Sequence, residues 1–202
     1  MTVACKAASI VQDGRTRCPW VDLGKGDYVA YHDEEWGVPV HAEHLMFETL
    51  SLEGAQAGLS WYTVLRKRDA YRKAFANFDI AQVACFDTRK IEILLTNDGL
   101  IRHRQKIEST VSNARACLKI QETYGSLCAF MWSFVDHTPQ VNAPRTRADY
   151  AITSVQSDRL SAELKRRGCK FVGSTTMYAL MQATGMVNDH AYDCFRAREL
   201  SS

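Results

Sequence analysis

From residue 41 onward, apolar side chains recur at intervals of three and four, the period of a helix with one buried face. This pattern predicts helices over 45–52 and over 60–78, the second through Trp61, Val64, Leu65, Ala74, Phe75 and Phe78. Ile91, Leu94 and Leu95 predict a short helix stopped by Asn97-Asp98-Gly99. Ile107, Val111, Ala114 and Leu118 mark an amphipathic stripe that ends near Gly125. Residues 130–134 read as a short apolar helix. Leu160 and Leu164 begin another that breaks at Gly168, and 175–183 is the last, with Gly185 as its C-cap. Residues 18–38 are rich in glycine and aromatic side chains and read as irregular structure around a site. Residues 136–157 hold two prolines and no period, so a loop is expected there. No segment alternates as a strand does, and the predicted class is all-α.

At 202 residues the chain suits one domain, or one domain with a small lobe, and 46% hydrophobic content gives it a core without crosslinks. Residues 1–17 are expected to be a loose extension, 18–195 the functional unit and 196–202 a tail. Neither a signal-peptide core nor an apolar run of membrane-spanning length is found. Seven cysteines, an odd number, read as free thiols or metal ligands in a reducing cytoplasm. A monomer is expected. The net charge of +2 selects no partner by itself. Basic clusters at 66–68, 102–106 and 165–167 fit solvated helix faces as well as phosphate contacts.

Three groupings carry possible chemistry. His190 and Cys194, four apart, share a helix face, and Cys18 with His32 at the other end of the chain would complete a two-sulfur, two-imidazole set. Such a closed set suits a structural zinc, but the spacing equally allows a surface histidine and a core cysteine. Asp189 is expected to buttress that metal site. The run 165–176 joins two helices through a glycine-bearing turn, an arrangement that offers backbone N–H groups, Lys170, Ser174 and Thr175 to a phosphate. It is also compatible with an ordinary helical hairpin, and 97–104 is a second, more basic turn of this kind. Lastly, Trp20, Tyr28, Tyr31, Trp36 and Trp61 are dense, and Glu53 lies among glycine, alanine, leucine and tryptophan. Glu53 either points to solvent from an amphipathic helix or is partly desolvated, which suits a cationic planar ligand.

These segments together resemble the 3-methyladenine DNA glycosylase I family. The likeness rests on Arg17-Cys-Pro-Trp20, Tyr28-Val-Ala-Tyr-His-Asp-Glu-Glu-Trp-Gly-Val-Pro39, Leu52-Glu-Gly-Ala-Gln-Ala-Gly-Leu-Ser-Trp61, Gly99-Leu-Ile-Arg-His-Arg104, Phe130-Met-Trp-Ser-Phe134, Lys170-Phe-Val-Gly173 and Val187-Asn-Asp-His190. The resemblance implies a helix-hairpin-helix glycosylase fold stapled by a structural zinc on Cys18, His32, His190 and Cys194. It implies that Glu53 is catalytic and, with Tyr31, hydrogen-bonds the extruded base. Trp61 and Trp20 would wall the pocket, with Tyr28 and Trp36 in support. Gly58 and Leu59 would fill the gap left in damaged double-stranded DNA, and Lys170, Gly173, Ser174 and Thr175 would anchor a strand. Phe171 stands where the wider superfamily has the first of two hairpin glycines.

The implied activity is hydrolytic removal of 3-methyladenine, with 3-methylguanine as a further base, in base-excision repair. It would be a monofunctional glycosylase, because no lysine fits a Schiff-base role, in a bacterial protein held at the nucleoid by DNA. The competing readings are a non-catalytic zinc-containing DNA-binding module and a zinc hydrolase; the closed ligand set speaks against the hydrolase.

Overall fold

A computed structural model describes residues 13–200. Helix α1 (Gly26–Ala30) runs without a break into a π-helical turn, Tyr31–Glu35. The segment read as irregular is therefore wound, though in the wider helix that often marks functional sites. Helix α2 (Glu43–Gln56) outruns the expected 45–52 at both ends. It is not amphipathic: Met46, Phe47, Glu48, Leu50, Ser51, Leu52, Glu53, Gly54 and Ala55 are all buried. A helix covered on all sides is a central one, and the remaining elements pack around it.

The stretch 60–78, expected to be one helix, divides into α3 (Trp61–Leu65) and α4 (Arg68–Ala74). It ends in three residues at positive φ, Ala76, Asn77 and Phe78 (51, 52 and 57°). An unanticipated short helix, α5 (Ile80–Ala84), follows, capped by Asp79. Then come α6 (Thr88–Leu95), the long α7 (Arg104–Tyr124), closed by Gly125, and α8 (Leu127–Trp132). The expected loop contains a two-residue strand, β1 (Gln140–Val141), which pairs in parallel with β2 (Val187–Asn188), Gln140 opposite Val187. A ladder this short leaves no alternation to read. Helices α9 (Val155–Arg166) and α10 (Ser174–Ala183) form the hairpin, and α11 (Phe195–Glu199) occupies most of the presumed tail.

Phe47, Phe75, Phe78, Phe130, Met46 and Leu127 sit at the centre of the main core, fully buried. A second cluster gathers Cys18, Tyr31, Trp36, Leu65, Ala191, Cys194 and Ala197, joining the start of the described chain to its end. Residues 13–17 are part of this join, while 1–12 of the expected extension lie outside the described residues. Among the described residues no helix is long and apolar enough to cross a membrane.

Candidate active site

One cavity of about 260 Å³ is lined by Trp20, Tyr28, Tyr31, Trp36, Glu53, Gln56, Trp61, Tyr150, Ala179 and Gln182. All six residues expected at a pocket are there. Trp20 meets Tyr28 at 5.3 Å and Trp36 at 5.0 Å between ring centroids, and Tyr31 meets Trp61 at 5.4 Å. These tilted and edge contacts build an aromatic box. Its volume is below the range of about 300–1,000 Å³ usual for drug-sized ligands and suits something smaller.

Each wall has a local cause. The π-helical turn buries two consecutive residues, Tyr31 in the cavity and His32 in a cluster of cysteines and histidines behind it. Ser60 caps α3 by accepting the Thr63 N–H, which places Trp61 at the first helical position. Glu53 is buried because α2 is central; only 5% of it is exposed. Burial pushes its carboxyl up to about 8, and no protein group among the described residues hydrogen-bonds to it. The Trp61 indole N–H is likewise buried without a partner. The Tyr150 hydroxyl, from another lining residue, is buried without a partner too. Unsatisfied polar groups in three lining residues are costly unless a ligand completes them.

Cys18, His32, His190 and Cys194 come together, their ligating atoms all within 4.8 Å of one another and all four residues buried. Cys18 Sγ lies 3.4 Å from His190 Nδ1, and Cys194 Sγ lies 3.4 Å from His32 Nε2 and 3.6 Å from His190 Nδ1. A tetrahedral zinc with ordinary bond lengths spaces sulfur and nitrogen ligands by about 3.5 Å, so the set fits that ion. His32 Nδ1–H donates to Asp33 at 2.7 Å and His190 Nε2–H to the Trp36 carbonyl at 3.0 Å, which leaves the opposite nitrogens to face the sulfurs. A hydrogen bond with Cys194, and then burial, hold the Cys18 thiol high, while the same bond, with His190 and His32, holds Cys194 low. A dication is what would let both be thiolates.

Asp189 does not buttress this cluster, contrary to expectation. It accepts from Asn142 (2.6 Å), Gln182 (2.7 Å) and Tyr178 (2.8 Å), and so fixes Gln182 in the pocket wall. Asp33 takes the buttressing role, held in turn by Arg17 at 2.7 Å. Against burial, Arg17 and then His32 keep Asp33 below the usual carboxylate range.

Beside the cavity lies a cleft of about 210 Å³ lined by Glu53, Gln56, Ala57, Gly58, Leu59, Thr175, Thr176 and Ala179. Leu59 is 41% exposed at its edge. In the hairpin, Gly173 caps α10, Lys170 and Thr175 are exposed, and the Ser174 hydroxyl is engaged by Asp158 and Ser157 of α9. Phe171 sits at φ 56°, a left-handed conformation that glycine takes freely. A β-carbon added to Gly54 would come within 3.3 Å of the Phe171 β-carbon, so glycine lets the hairpin approach α2. The second basic turn is paired within the protein, Arg102 with Asp98 (2.9 Å) and Arg104 with Glu92 (2.8 Å).

A family model described as methyladenine glycosylase matches residues 20–197. The chain belongs to this family. It is 47% identical over 178 residues to DNA-3-methyladenine glycosylase 1 of Escherichia coli (strain K12), covering 88% of this chain and 95% of that one. A crystal structure of 3-methyladenine DNA glycosylase I superposes with a TM-score of 0.86 at 47% identity, covering 89% and 98% of the two chains. A variant of 3-methyladenine DNA glycosylase I in complex with 3-methyladenine superposes with a TM-score of 0.83 at 35% identity, covering 85% and 92%. Membership leaves the non-catalytic binding module without support. In this methyladenine glycosylase, sequence reasoning missed Asp33, Arg17, Tyr150 and Gln182. An acid directly after a histidine expected to bind metal was a usable signal for Asp33, whereas Tyr150 and Gln182 carry none.

Proposed function

We propose how this chain removes 3-methyladenine from DNA. The damaged nucleotide leaves the duplex and its base enters the aromatic cavity. N3-alkylation makes the base cationic, which favours contact with the faces of Trp20 and Trp61, with Tyr28 and Trp36 behind and Tyr31 hydrogen-bonding the base edge. The cationic base draws Glu53 into its ionised form. Glu53 then accepts a hydrogen bond from the base, and its carboxylate adds negative potential beside the sugar as that becomes oxocarbenium-like. The bond from C1′ to the base nitrogen breaks, water adds to C1′ and loses a proton, and the base departs neutral. The base carries its own positive charge, so no strong general acid is needed. No lysine lines the cavity, which supports a monofunctional enzyme without lyase action.

Helices α9 and α10 serve as the helix-hairpin-helix that anchors one strand, through Lys170, Gly173 and Thr175, with Gly58 and Leu59 filling the gap in the duplex. Cys18, His32, His190 and Cys194 hold one zinc, which contributes folding energy and ties the two ends of an otherwise single unit together. The protein acts on double-stranded DNA as a monomer.

The observation that carries this reading is the buried, unpartnered Glu53 carboxyl in an aromatic box. The test is chromatography of bases released from methylated duplex DNA. Free 3-methyladenine, with strand nicking at the uncatalysed level, is expected. Glu53→Gln is expected to lower the rate by about 100-fold or more. Unchanged release by that variant would move the catalytic role to another residue.

A further inference from the structure

A second buried charge lies close to the base pocket and takes no part in it. Lys106, in the first turn of α7, is only 8% exposed and has no carboxylate within ion-pair distance among the described residues. The position is unfavourable twice over. Burial penalises the ammonium and lowers its pKa, and the N-terminal end of a helix repels a cation. What offsets this is a pair of carbonyls: Nζ donates to Ala55 at 2.8 Å and to Ala57 at 2.6 Å. Ala55 belongs to the last turn of α2, and Ala57 is its C-cap.

The second of these carbonyls lies inside a defined turn. Ala57 has φ −43° and ψ 116°, Gly58 has φ 78°, and the Leu59 N–H returns to the Gln56 carbonyl at 2.6 Å. That is a type II turn, which needs glycine at its third position. The type I alternative differs by a flip of the Ala57–Gly58 peptide, which would carry the Ala57 carbonyl away from Lys106. The ammonium therefore selects one of two turn shapes, and it also caps the end of the helix that carries Glu53.

We propose that Lys106 is a positioning residue of this glycosylase: it locks the Ala57–Gly58 peptide so that Leu59 is presented to the duplex. The inference rests on the reading of Gly58 and Leu59 as the gap-filling tip.

The test compares Lys106→Met, Leu59→Ala, their double variant and Lys106→Arg. Three quantities are measured: tryptophan fluorescence titration with free 3-methyladenine, affinity for a duplex bearing a tetrahydrofuran abasic analogue, and kcat/KM for excision. Lys106→Met is expected to bind the free base like wild type and to lose about tenfold or more in abasic-duplex affinity and in kcat/KM. Leu59→Ala loses comparably, the double variant is no worse than the worse single, and Lys106→Arg recovers most of the loss. A Lys106→Met protein with wild-type duplex affinity, beside an impaired Leu59→Ala, overturns the role of Lys106 alone. Wild-type behaviour of Leu59→Ala overturns the tip reading and the proposal with it. Additive losses, or a loss of free-base binding, also overturn it. Should Lys106→Met fail to fold, Lys106→Gln and the Leu59→Ala, Lys106→Gln pair carry the same comparison.

Discussion

Glu53 shows how a single residue trades stability for chemistry. Its carboxyl stands at about 8 in the folded protein against an ordinary value of 4.5. Between those values the folded state binds the proton more tightly than the unfolded chain does. Stability is therefore lost as pH rises through this interval, by at most about 5 kcal/mol. Glu53→Gln keeps the shape and removes the charge. Its advantage in urea-denaturation stability over wild type is expected to be small near pH 5, to grow toward pH 8 and to level off above it. Equal advantages at both pH values would mean that the carboxylate is stabilised in the fold. The same variant that gains stability loses base release, which separates a catalytic group from a structural one. The sequence left Glu53 between a solvated face and a desolvated site because the single-helix period does not say what covers the other side. The answer came from α8, α10 and α7 closing over α2.

At the scale of elements, strongly periodic helices were legible: α7 and α10 lie where their stripes placed them, while α9 starts at Val155, inside the expected loop and ahead of the expected Leu160. The split of 60–78 was not, because no glycine or proline marks it. Ala76, Asn77 and Phe78 take positive φ under tertiary packing, with Phe78 fully buried as the return. The aromatic pocket residues were legible as a dense cluster. Tyr150, from the aperiodic stretch, and Gln182, one polar residue on a helix, reach the pocket only through the chain path. The contact between α2 and the hairpin gives a further prediction. Gly54→Val forces a branched side chain against Phe171 and should destabilise the protein by about 1–3 kcal/mol. It should also weaken duplex binding more than binding of free 3-methyladenine, since it displaces the hairpin. Urea denaturation and the two titrations check this, and equal losses in both titrations would count against the hairpin as the DNA anchor.

For the whole molecule, the decisive link is the four-residue cluster. One zinc per chain is expected by elemental analysis. Removing it with a strong chelator should lower the thermal midpoint by about 10 °C or more. Asp33→Asn, which weakens the acceptor behind His32, should reduce zinc affinity about 10- to 100-fold in competition with a chromogenic chelator, with little effect on the fold when zinc is in excess. An unmoved midpoint after complete chelation would leave the cluster as a packing feature.

The same link sets an order of events during synthesis. Trp20, Tyr31 and Trp36 emerge from the ribosome long before His190 and Cys194 of the cluster that backs them. For most of translation the pocket walls lack their rear support, and α2 is made long before α10 can cover it. A nascent chain arrested before residue 190 would hold every pocket-lining residue but lack half of the cluster behind them. Products that stop before His190 are therefore expected to be inert toward DNA bases, so that the activity waits on the segment that carries His190 and Cys194.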